Sequence, residues 1–549
     1  MGFRSKLAAF AGRAARWGGE TFMHRAAGNI PGAIALKIDP LVLTDLARQV
    51  DPVIVVSGTN GKTTTTNLIA DCLATSGMPL VCNREGNNLQ SGVVTALLVG
   101  PQPTRPQGSK ASNEAGSPQE SGENGAALAA GSVSGADAKV AEAASTATPI
   151  ACFECDELYT KFVLPRVKPR YFMLLNLFRD QLDRFGEIDR IQDVIAEALL
   201  KTPETIFIYN GDDPLCAAIA DRVSNRSFAF GIKGDLGLSA DRVSDSRFCQ
   251  KCGGVLEYEY VHYDKLGAYR CKECGWGRPE LKFAAENVRA TDEGFVFDID
   301  GHEVRTGQTG VYMVYNVLAA YAASKMSFLV EYDGFQKSVL AYRPTNGRLQ
   351  VFDFGERSVM TNLAKNPTGF NQNIRIVLQE QGRVLALFVN DNDPDGHDVS
   401  WFWDIDFENW SHIEGLKAFV GGSRANDMQV RLKYAGIEAQ IVENVAQVME
   451  ATCADDGRAY IIANYTALPE VRRELERLHA EWESSGKIPW GNKVAKSNEV
   501  SKGNSTSSRN EGADGNQACQ SKQVLNRNQV SEENSHTVEQ NGKASGEEN

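Results

Sequence analysis

One short segment carries the residue types best suited to binding a phosphate. After the apolar run Val53 to Val56, the sequence continues SGTNGKTTTT. Glycines in such a turn let backbone N–H groups face an anion, and the start of the following helix adds partial positive charge. The lysine can reach the β- and γ-phosphates of a nucleotide, and Thr63 or Thr64 can ligate Mg²⁺. The predicted nucleotide-binding residues are Gly58, Thr59, Asn60, Gly61, Lys62, Thr63 and Thr64.

The segment departs from the strict phosphate-loop pattern at one position. The pattern G-x-x-x-x-G-K-[ST] requires a glycine where this sequence has Val56. A glycine-rich turn that joins a strand to a helix without binding any ligand is the alternative interpretation. Because the lysine and the threonine both stand in register, the pattern favours a nucleotide site.

Further polar residues follow apolar stretches at other points of the chain. Glu154 ends the run IACFE, where a carboxylate beside a phosphate loop can hold Mg²⁺; the alternative is a plain surface acid. Asn210 and Asp213 follow IFIY and are suited to hydrogen-bonding a ribose or a base. Asn316 lies in a predicted helix and Arg348 after a Pro-Thr-Asn-Gly turn. Taken alone, these last two residues could be a helix cap and a surface charge.

Four cysteines have the spacing of a metal site. Cys249 and Cys252 are separated by two residues, as are Cys271 and Cys274, and eighteen residues lie between the pairs. Two such pairs predict a tetrahedral site of four thiolates that holds a structural Zn²⁺. The intervening segment contains only a lone histidine, His262, so a catalytic zinc site with an open position is not expected.

Composition restricts the class of protein. The 549 residues carry a net charge of −13, which argues against broad binding of nucleic acid. No stretch approaches the eighteen consecutive apolar residues of a membrane span, and the N-terminus lacks the features of a signal peptide. Seven scattered cysteines outside the metal pattern are typical of a reducing compartment. We therefore expect a cytoplasmic protein whose partners are small molecules or proteins.

Alternating apolar strands and helical stretches predict an α/β protein with two main domains. Residues 4 to 17 form a basic amphipathic helix, which either packs its apolar stripe on the domain or lies peripherally on an anionic membrane. Strands at Leu349 to Phe354, Val384 to Val389, Phe419 to Gly421 and Tyr460 to Ala463 suggest a second βαβ domain. The predicted divisions are an N-terminal helical segment (1–50), a first domain (51–346) with a disordered insertion (101–149) and a zinc ribbon (247–278), a smaller C-terminal α/β domain of Rossmann-like type (347–490), and a disordered tail (491–549).

Taken together, the motifs resemble a known family. In order, GTNGKTT, FECDE, NLFRDQLDRFGE, NGDDP and GVYMVYNVLAA resemble the central ATPase domain of Mur ligases, over roughly Pro52 to Ser324. The later segments LAKNPTGFNQ, NDNDPDGHDVSWFWD, SRAND and RLKYAG resemble the C-terminal domain of one branch of that family, the MurT subunits of lipid II isoglutaminyl synthase. A zinc ribbon inserted in the ATPase domain is also a feature of that branch.

The resemblance implies a ligase reaction. ATP and Mg²⁺ would convert the α-carboxyl of D-glutamate in the lipid II stem peptide to an acyl phosphate, and ammonia would displace phosphate to leave D-isoglutamine. Catalysis would depend on Lys62, and Thr63 and Glu154 would hold Mg²⁺. The sequence lacks a glutaminase nucleophile elbow, so the resemblance implies that a separate GatD-like glutamine amidotransferase forms a heterodimer with this chain and supplies ammonia.

The resemblance also implies that the ligase subunit lends an aspartate to its partner. We place that residue at Asp398, with Asp395 as second choice, because the alignment of the loop leaves both open. Two other functions compete with this one. A Mur-like ligase would add an amino acid to a peptidoglycan precursor, and a nucleotide-dependent scaffold would bind without turnover.

Overall fold

The computed structural model describes residues 1–23, 28–101, 147–179, 188–238, 241–242, 246–344, 347–453 and 456–490. The predictions of disorder for the insertion and the tail fall on residues 102–146 and 491–549, which lie outside the described residues. No helix in the described ranges is long and apolar enough to cross a membrane.

The larger part of the chain is built on a nine-stranded sheet in the order β11-β10-β9-β6-β5-β4-β1-β3-β2, with a separate hairpin of β7 and β8. These strands are β1 (Val53–Ser57), β2 (Leu80–Cys82), β3 (Ile150–Glu154), β4 (Tyr171–Leu174), β5 (Ile206–Asn210), β6 (Ser227–Ile232), β7 (Leu256–Tyr263), β8 (Leu266–Cys271), β9 (Leu281–Thr291), β10 (Gly294–Ile299) and β11 (His302–Arg305). The accompanying helices are α1 (Phe3–Met23), α2 (Ile30–Ile38), α3 (Val42–Ala47), α4 (Lys62–Ala74), α5 (Gln90–Val99), α6 (Thr160–Val167), α7 (Ile188–Leu200), α8 (Pro214–Ala220), α9 (Val311–Ser327) and α10 (Tyr332–Ala341).

Strand β1 lies inside this sheet and is buried on both faces. It pairs in parallel with β3 on one side and β4 on the other. Val53 and Val55 belong to the core on one face, and Ile54 and Val56 to the core on the opposite face. An uninterrupted apolar run is what a parallel strand covered on both faces requires. Because parallel strands end at the same edge, the loops after β1, β3 and β4 meet there.

The C-terminal part is built on a six-stranded sheet in the order β12-β13-β17-β14-β15-β16. Its elements are β12 (Gln350–Asp353), β13 (Ser358–Leu363), α11 (Pro367–Gln379), β14 (Val384–Phe388), β15 (Lys417–Gly421), α12 (Ala425–Tyr434), β16 (Ala439–Ile441), α13 (Val445–Glu450), β17 (Ala459–Ala463) and α14 (Leu468–Ser485). Apart from the antiparallel pair of β12 and β13, neighbouring strands are parallel. Helices cover both faces, as in the α/β class that the sequence predicts.

The N-terminal helix α1 packs on the domain through the face opposite to the one that was expected. The favoured expectation placed its apolar stripe on the domain, with Leu7, Phe10, Ala11, Ala14 and Trp17 at helical spacing. Instead, Ser5, Ala8, Ala9 and Gly12 face α2 and α5, while the large apolar side chains point to solvent. The expectation of a packed apolar stripe is therefore wrong. Small residues allow the helix axes to approach, which large side chains would prevent.

Candidate functional site

A cavity of about 750 Å³ lies between the two sheets, at the edge where β1 and β3 end. The side nearer the nine-stranded sheet contributes Thr59, Asn60, Gly61, Lys62, Thr63, Thr64, Glu85, Gly86, Glu154, Asn176, Tyr263 and Asn316. The C-terminal part contributes Arg348, Lys365, Thr368, Gln372, Arg472 and Arg473. Every predicted residue of the phosphate loop except Gly58 lines this cavity, together with Glu154, Asn316 and Arg348.

Asn176, which follows β4, holds the phosphate loop in place. Its side-chain oxygen accepts a hydrogen bond from the backbone N–H of Asn60 at 2.9 Å, and its amide donates to the Asn60 carbonyl at 3.1 Å. The backbone carbonyl of Asn176 also accepts from the N–H of Thr59 at 3.0 Å. These contacts of Asn176 therefore fix the conformation of the phosphate loop.

Lys62 is buried in the mouth of the phosphate loop among acidic groups. Its ammonium donates to the carbonyls of Gly58 and Thr59 and to the carboxylate of Glu157, 3.1 Å away. Burial opposes the charged form. The carboxylates of Glu157, Asp156 and Glu154 outweigh burial and raise the pKa of Lys62 well above its usual value. The cation is therefore permanent at neutral pH.

Glu154, Thr63 and Gly86 meet on one wall of the cavity. A Cβ on Gly86 would lie 3.2 Å from the Thr63 hydroxyl and 3.7 Å from the Glu154 Oε2 atom. This Oε2 atom is buried and makes no hydrogen bond to any part of the chain that the structure describes. A buried carboxylate oxygen without a donor is costly unless a cation or a donor binds it. The carboxylate and the hydroxyl together fit the hard oxygen ligands that Mg²⁺ prefers.

Asn316 explains why the loop needs glycine at position 61. Its side-chain oxygen accepts from the Thr65 hydroxyl at 3.2 Å and would lie 2.4 Å from a Cβ on Gly61. Gly61 also has a φ of 84°, which favours glycine. Asn316 thus fixes the start of α4 and reaches the cavity from α9.

The structure does not bring Asn210 and Asp213 to the cavity, contrary to the expected contact with a ribose or a base. Both are fully buried. The amide of Asn210 donates to the Leu175 carbonyl at 3.0 Å, and its oxygen accepts from the N–H of Asp212. The carboxylate of Asp213 accepts from the N–H groups of Leu177 and Leu215 and caps α8. In this protein, these two polar residues after β5 stabilise the loop that follows the strand.

The cavity contains cations that the motif analysis missed. Lys365, Arg472 and Arg473 line it from the C-terminal part, as Arg348 does. The segment PEVRRELERL indicates only a charged helix, so nothing in the sequence separates these arginines from surface charges. Their position gives the cavity positive charge suited to phosphates or a substrate carboxylate.

Contacts across the cavity hold the two sheets together. The side chain of Asn60 is within 3.4 Å of Asn366, with a hydrogen bond in each direction. The turn between β7 and β8 also crosses to α11: the hydroxyl of Thr368 donates to Asp264 at 2.9 Å, and Arg375 contacts the carbonyl of His262 at 3.5 Å. The hairpin therefore contacts α11 beside the cavity, which its residue Tyr263 lines.

The base of that hairpin carries the four predicted metal ligands. The sulfur atoms of Cys249, Cys252, Cys271 and Cys274 all lie within 4.8 Å of one another. The Cys249–Cys274 and Cys252–Cys271 sulfur pairs are 3.6 and 3.5 Å apart. Zn–S bonds of about 2.3 Å in a tetrahedron place sulfurs roughly 3.8 Å apart, so this donor set fits Zn²⁺.

One aspartate is predicted to serve a partner, with Asp398 as first choice and Asp395 as second, and the two residues have different surroundings in the structure. Asp395 is 2% exposed and accepts hydrogen bonds from the backbone and hydroxyl of Thr466. Asp398 is partly exposed and accepts from the N–H of Ser400 at 2.8 Å. Hydrogen bonding to Ser400 lowers the pKa of Asp398, so its carboxylate is ionised at neutral pH. Neither residue lines the cavity.

Two family models match the sequence. The model described as Mur ligase middle domain matches residues 56–324, and the model described as MurT ligase C-terminal matches residues 363–468. Solved structures of similar fold include a pseudomurein peptide ligase type C from Methanothermus fervidus, with TM-score 0.55, 17% identity and 78% of each chain covered. MurF from Acinetobacter baumannii has TM-score 0.53 and 14% identity, covering 81% of this chain and 80% of that one. The α/β fold is thus that of the Mur ligases.

Closer relatives identify the branch. The chain is 32% identical over 456 residues to the MurT subunit of lipid II isoglutaminyl synthase (glutamine-hydrolyzing) from Staphylococcus aureus strain N315, covering 82% of this chain and 93% of the relative. It is 31% identical to the protein of the same name from Streptococcus pneumoniae strain R6, covering 81% and 92%. The chain therefore belongs to the MurT family, which confirms the resemblance found in its motifs.

Proposed function

We propose that this chain activates a carboxylate with ATP and converts it to an amide. One observation supports an ATP and Mg²⁺ site most strongly. A carboxylate oxygen of Glu154 is buried beside Thr63 at the phosphate loop, and it has no hydrogen-bond partner among the residues that the structure describes. The relatives named lipid II isoglutaminyl synthase support the α-carboxyl of D-glutamate in the lipid II stem peptide as the substrate.

The reaction has two steps. A carboxylate oxygen attacks the γ-phosphorus of ATP, the bond to the β–γ bridging oxygen breaks, and an acyl phosphate and ADP result. Ammonia then attacks the acyl carbon, phosphate leaves with the former carboxylate oxygen, and the nitrogen loses a proton to give the amide. When bound, Mg²⁺ would neutralise charge on the phosphates, with Thr63 and Glu154 as its protein ligands.

The chain's own residues would position the reactants. Lys62 carries a permanent charge that can compensate the developing charge on the transferred phosphoryl group. Asn176 holds the loop through the N–H groups of Thr59 and Asn60, so the phosphate oxygens would be bound by the N–H groups that follow, at the start of α4. Arg348, Lys365 and Arg473 line the opposite wall, where the carboxylate substrate would approach.

Variants of two site residues test this function. Wild-type protein with ATP, Mg²⁺, lipid II and ammonium chloride should release phosphate, and replacing ammonium by an amino acid should not support turnover. Glu154→Gln should lower phosphate release by roughly tenfold or more because a Mg²⁺ ligand is lost. Lys62→Ala should lower it further and should also destabilise the fold, since three buried acids lose their cation.

The exposed Glu197→Gln is the matched control and should retain wild-type turnover. Wild-type turnover in Glu154→Gln and Lys62→Ala alike would contradict the assignment of this cavity as the ATP site. Turnover with an amino acid in place of ammonium would favour the competing amino-acid ligase.

Ammonia needs a separate source, and we propose a GatD-like glutamine amidotransferase subunit. The cysteines that the structure describes outside the metal cluster are buried or partly buried: Cys72, Cys82, Cys152, Cys155, Cys216 and Cys453. Burial raises the pKa of Cys72 to about 12 and raises those of Cys152, Cys155 and Cys216 well above the usual value. A glutaminase needs a thiolate, so these buried thiols are unsuited to the reaction.

Asp398 is the better candidate for the aspartate lent to that partner. Its carboxylate is ionised and partly exposed, whereas that of Asp395 is occupied by Thr466. Beyond it on the same segment, Trp403 is 48% exposed and packs against the exposed Tyr434, with ring centroids 5.3 Å apart. Trp401 instead packs on Phe370. An exposed aromatic pair that includes a residue of the same segment as an ionised carboxylate suits a protein interface.

Asp398→Asn tests this role. In complex with the glutaminase subunit, the variant should lose glutamine-dependent amidation by roughly 100-fold, because a carboxylate that orients a catalytic histidine is gone. Amidation with free ammonium should stay near the wild-type rate. Asp393→Asn, whose side chain is 97% exposed in the same loop, is the control and should keep both activities. Equal loss of both activities in Asp398→Asn would place this residue in the ligase site or the fold instead.

We also propose that the four-cysteine cluster binds one structural Zn²⁺. Such a site contributes on the order of 10 kcal/mol to folding a small lobe. Metal analysis should give close to one zinc per chain, and Cys271→Ser should lose the metal and lower the unfolding temperature. Cys453→Ser, outside the cluster, should keep the metal. A preparation that is free of zinc and equally stable would contradict the proposal.

A further inference from the structure

Helix α1 is fixed to the rest of the chain through one face of small residues. Ser5, Ala8 and Ala9 are at most 5% exposed, and a Cβ on Gly12 would lie 2.5 Å from the Leu98 side chain. The Ser5 hydroxyl donates to Asp39 at 2.5 Å. This close packing settles which side of the helix faces the protein.

The opposite face carries the large apolar side chains. Phe3 is 85% exposed, Leu7 50%, Phe10 70% and Trp17 64%. Their spacing of four, three and seven residues places them on one stripe, within an arc of about 80° at 100° per residue. On the same count the arc lies opposite Gly12. A contiguous apolar stripe that points away from a protein is a mark of an interaction site.

The apolar stripe has basic flanks on a chain that is otherwise acidic. Helix α1 contains four basic residues (Arg4, Lys6, Arg13 and Arg16) and one acid (Glu20), a net charge of +3, whereas the whole chain carries −13. Arg4 and Arg13 donate to the carbonyls of Ile38 in α2 and Leu98 in α5, at 2.6 and 3.2 Å. Positive charge beside an apolar stripe complements an anionic lipid surface.

One exposed apolar residue outside the helix lies near its first turn. Leu41 is 63% exposed, and its N–H donates to Asp39, the residue that also accepts from Ser5. Asp45, four residues later, accepts from the N–H of Gly2 at 3.2 Å. Leu41 therefore lies beside the first turn of α1, where Phe3 is exposed.

We propose that α1 is a membrane-surface anchor, in which Phe3, Leu7, Phe10 and Trp17 enter the boundary between headgroups and acyl chains of an anionic bilayer. A second copy of the chain is a poorer occupant, because pairing two such helices would bring their arginines and lysines together. If the proposed function is right, the anchor keeps the cavity at the surface where a lipid-linked substrate is displayed. This role of the anchor rests on the proposed function, whereas the binding of α1 to a membrane does not.

Vesicle co-sedimentation of the full chain tests the binding. Wild-type protein should bind vesicles of phosphatidylcholine with about one third phosphatidylglycerol, and should bind pure phosphatidylcholine vesicles more weakly, because the basic flanks add electrostatic attraction. The double variant Phe3→Ser, Phe10→Ser should reduce binding by roughly tenfold or more, since exposed side chains contribute to membrane insertion and little to the fold. Phe328→Ser, which removes an aromatic side chain that is 88% exposed elsewhere, should bind as wild type.

Activity measurements separate this inference from the proposed function. The double variant should amidate detergent-dispersed lipid II at the wild-type rate with ammonium and lose activity only when lipid II is presented in vesicles. Equal vesicle binding by wild type and the double variant would overturn the anchor. The anchor would also be overturned if the double variant bound vesicles normally but no longer associated with the glutaminase subunit. That result would make α1 a protein interface. Loss of activity in detergent would also contradict it.

Discussion

The site depends on the balance of charge around one buried ammonium group. Lys62 is buried at the start of α4, just after β1, and its charge loses most of its solvation there. Three carboxylates supply the compensation, at Glu154, Asp156 and Glu157, and they all come from the end of β3. The parallel pairing of β1 with β3 is what brings the cation and the acids together. The order of the strands in the sheet therefore determines the charge balance of the site.

The same edge explains how two domains share one site. The phosphate loop is prearranged by Asn176 and Asn316, but the cations that face it belong to the C-terminal part. The Asn60–Asn366 contact and the β7–β8 turn at Asp264 connect the two sides. Because the four cysteines lie at the base of that hairpin, a metal there would stabilise a contact beside the cavity as well as its own lobe.

Local motifs made much of the site predictable from sequence. The phosphate loop and the four cysteines are contiguous or regularly spaced, so their chemistry can be read without the fold. Asn210 and Asp213 show the limit, because a polar residue after a strand can bind a ligand or cap the next helix, and here it bonds to the backbone. Lys365 and Arg473 were missed because only the packing of two distant segments brings them to the loop.

Helix α1 shows a second limit of prediction from sequence. Periodicity correctly predicts an apolar stripe, but both faces of α1 repeat at helical spacing, and the sequence does not say which face packs. Gly12 and the alanines decide it, because only small residues fit the close approach to Pro31 and Leu98. Strand β13 was not predicted, since SVMTNL is short and partly polar.

The fate of the substrate's carboxylate oxygen tests the central claim most directly. Lipid II labelled with ¹⁸O in both α-carboxyl oxygens of D-glutamate should be incubated with the protein, ATP, Mg²⁺ and ammonium, and the released phosphate measured by mass spectrometry. An acyl phosphate route predicts one ¹⁸O atom in each phosphate released per amide formed. Amide formation with unlabelled phosphate would contradict carboxylate activation at this site.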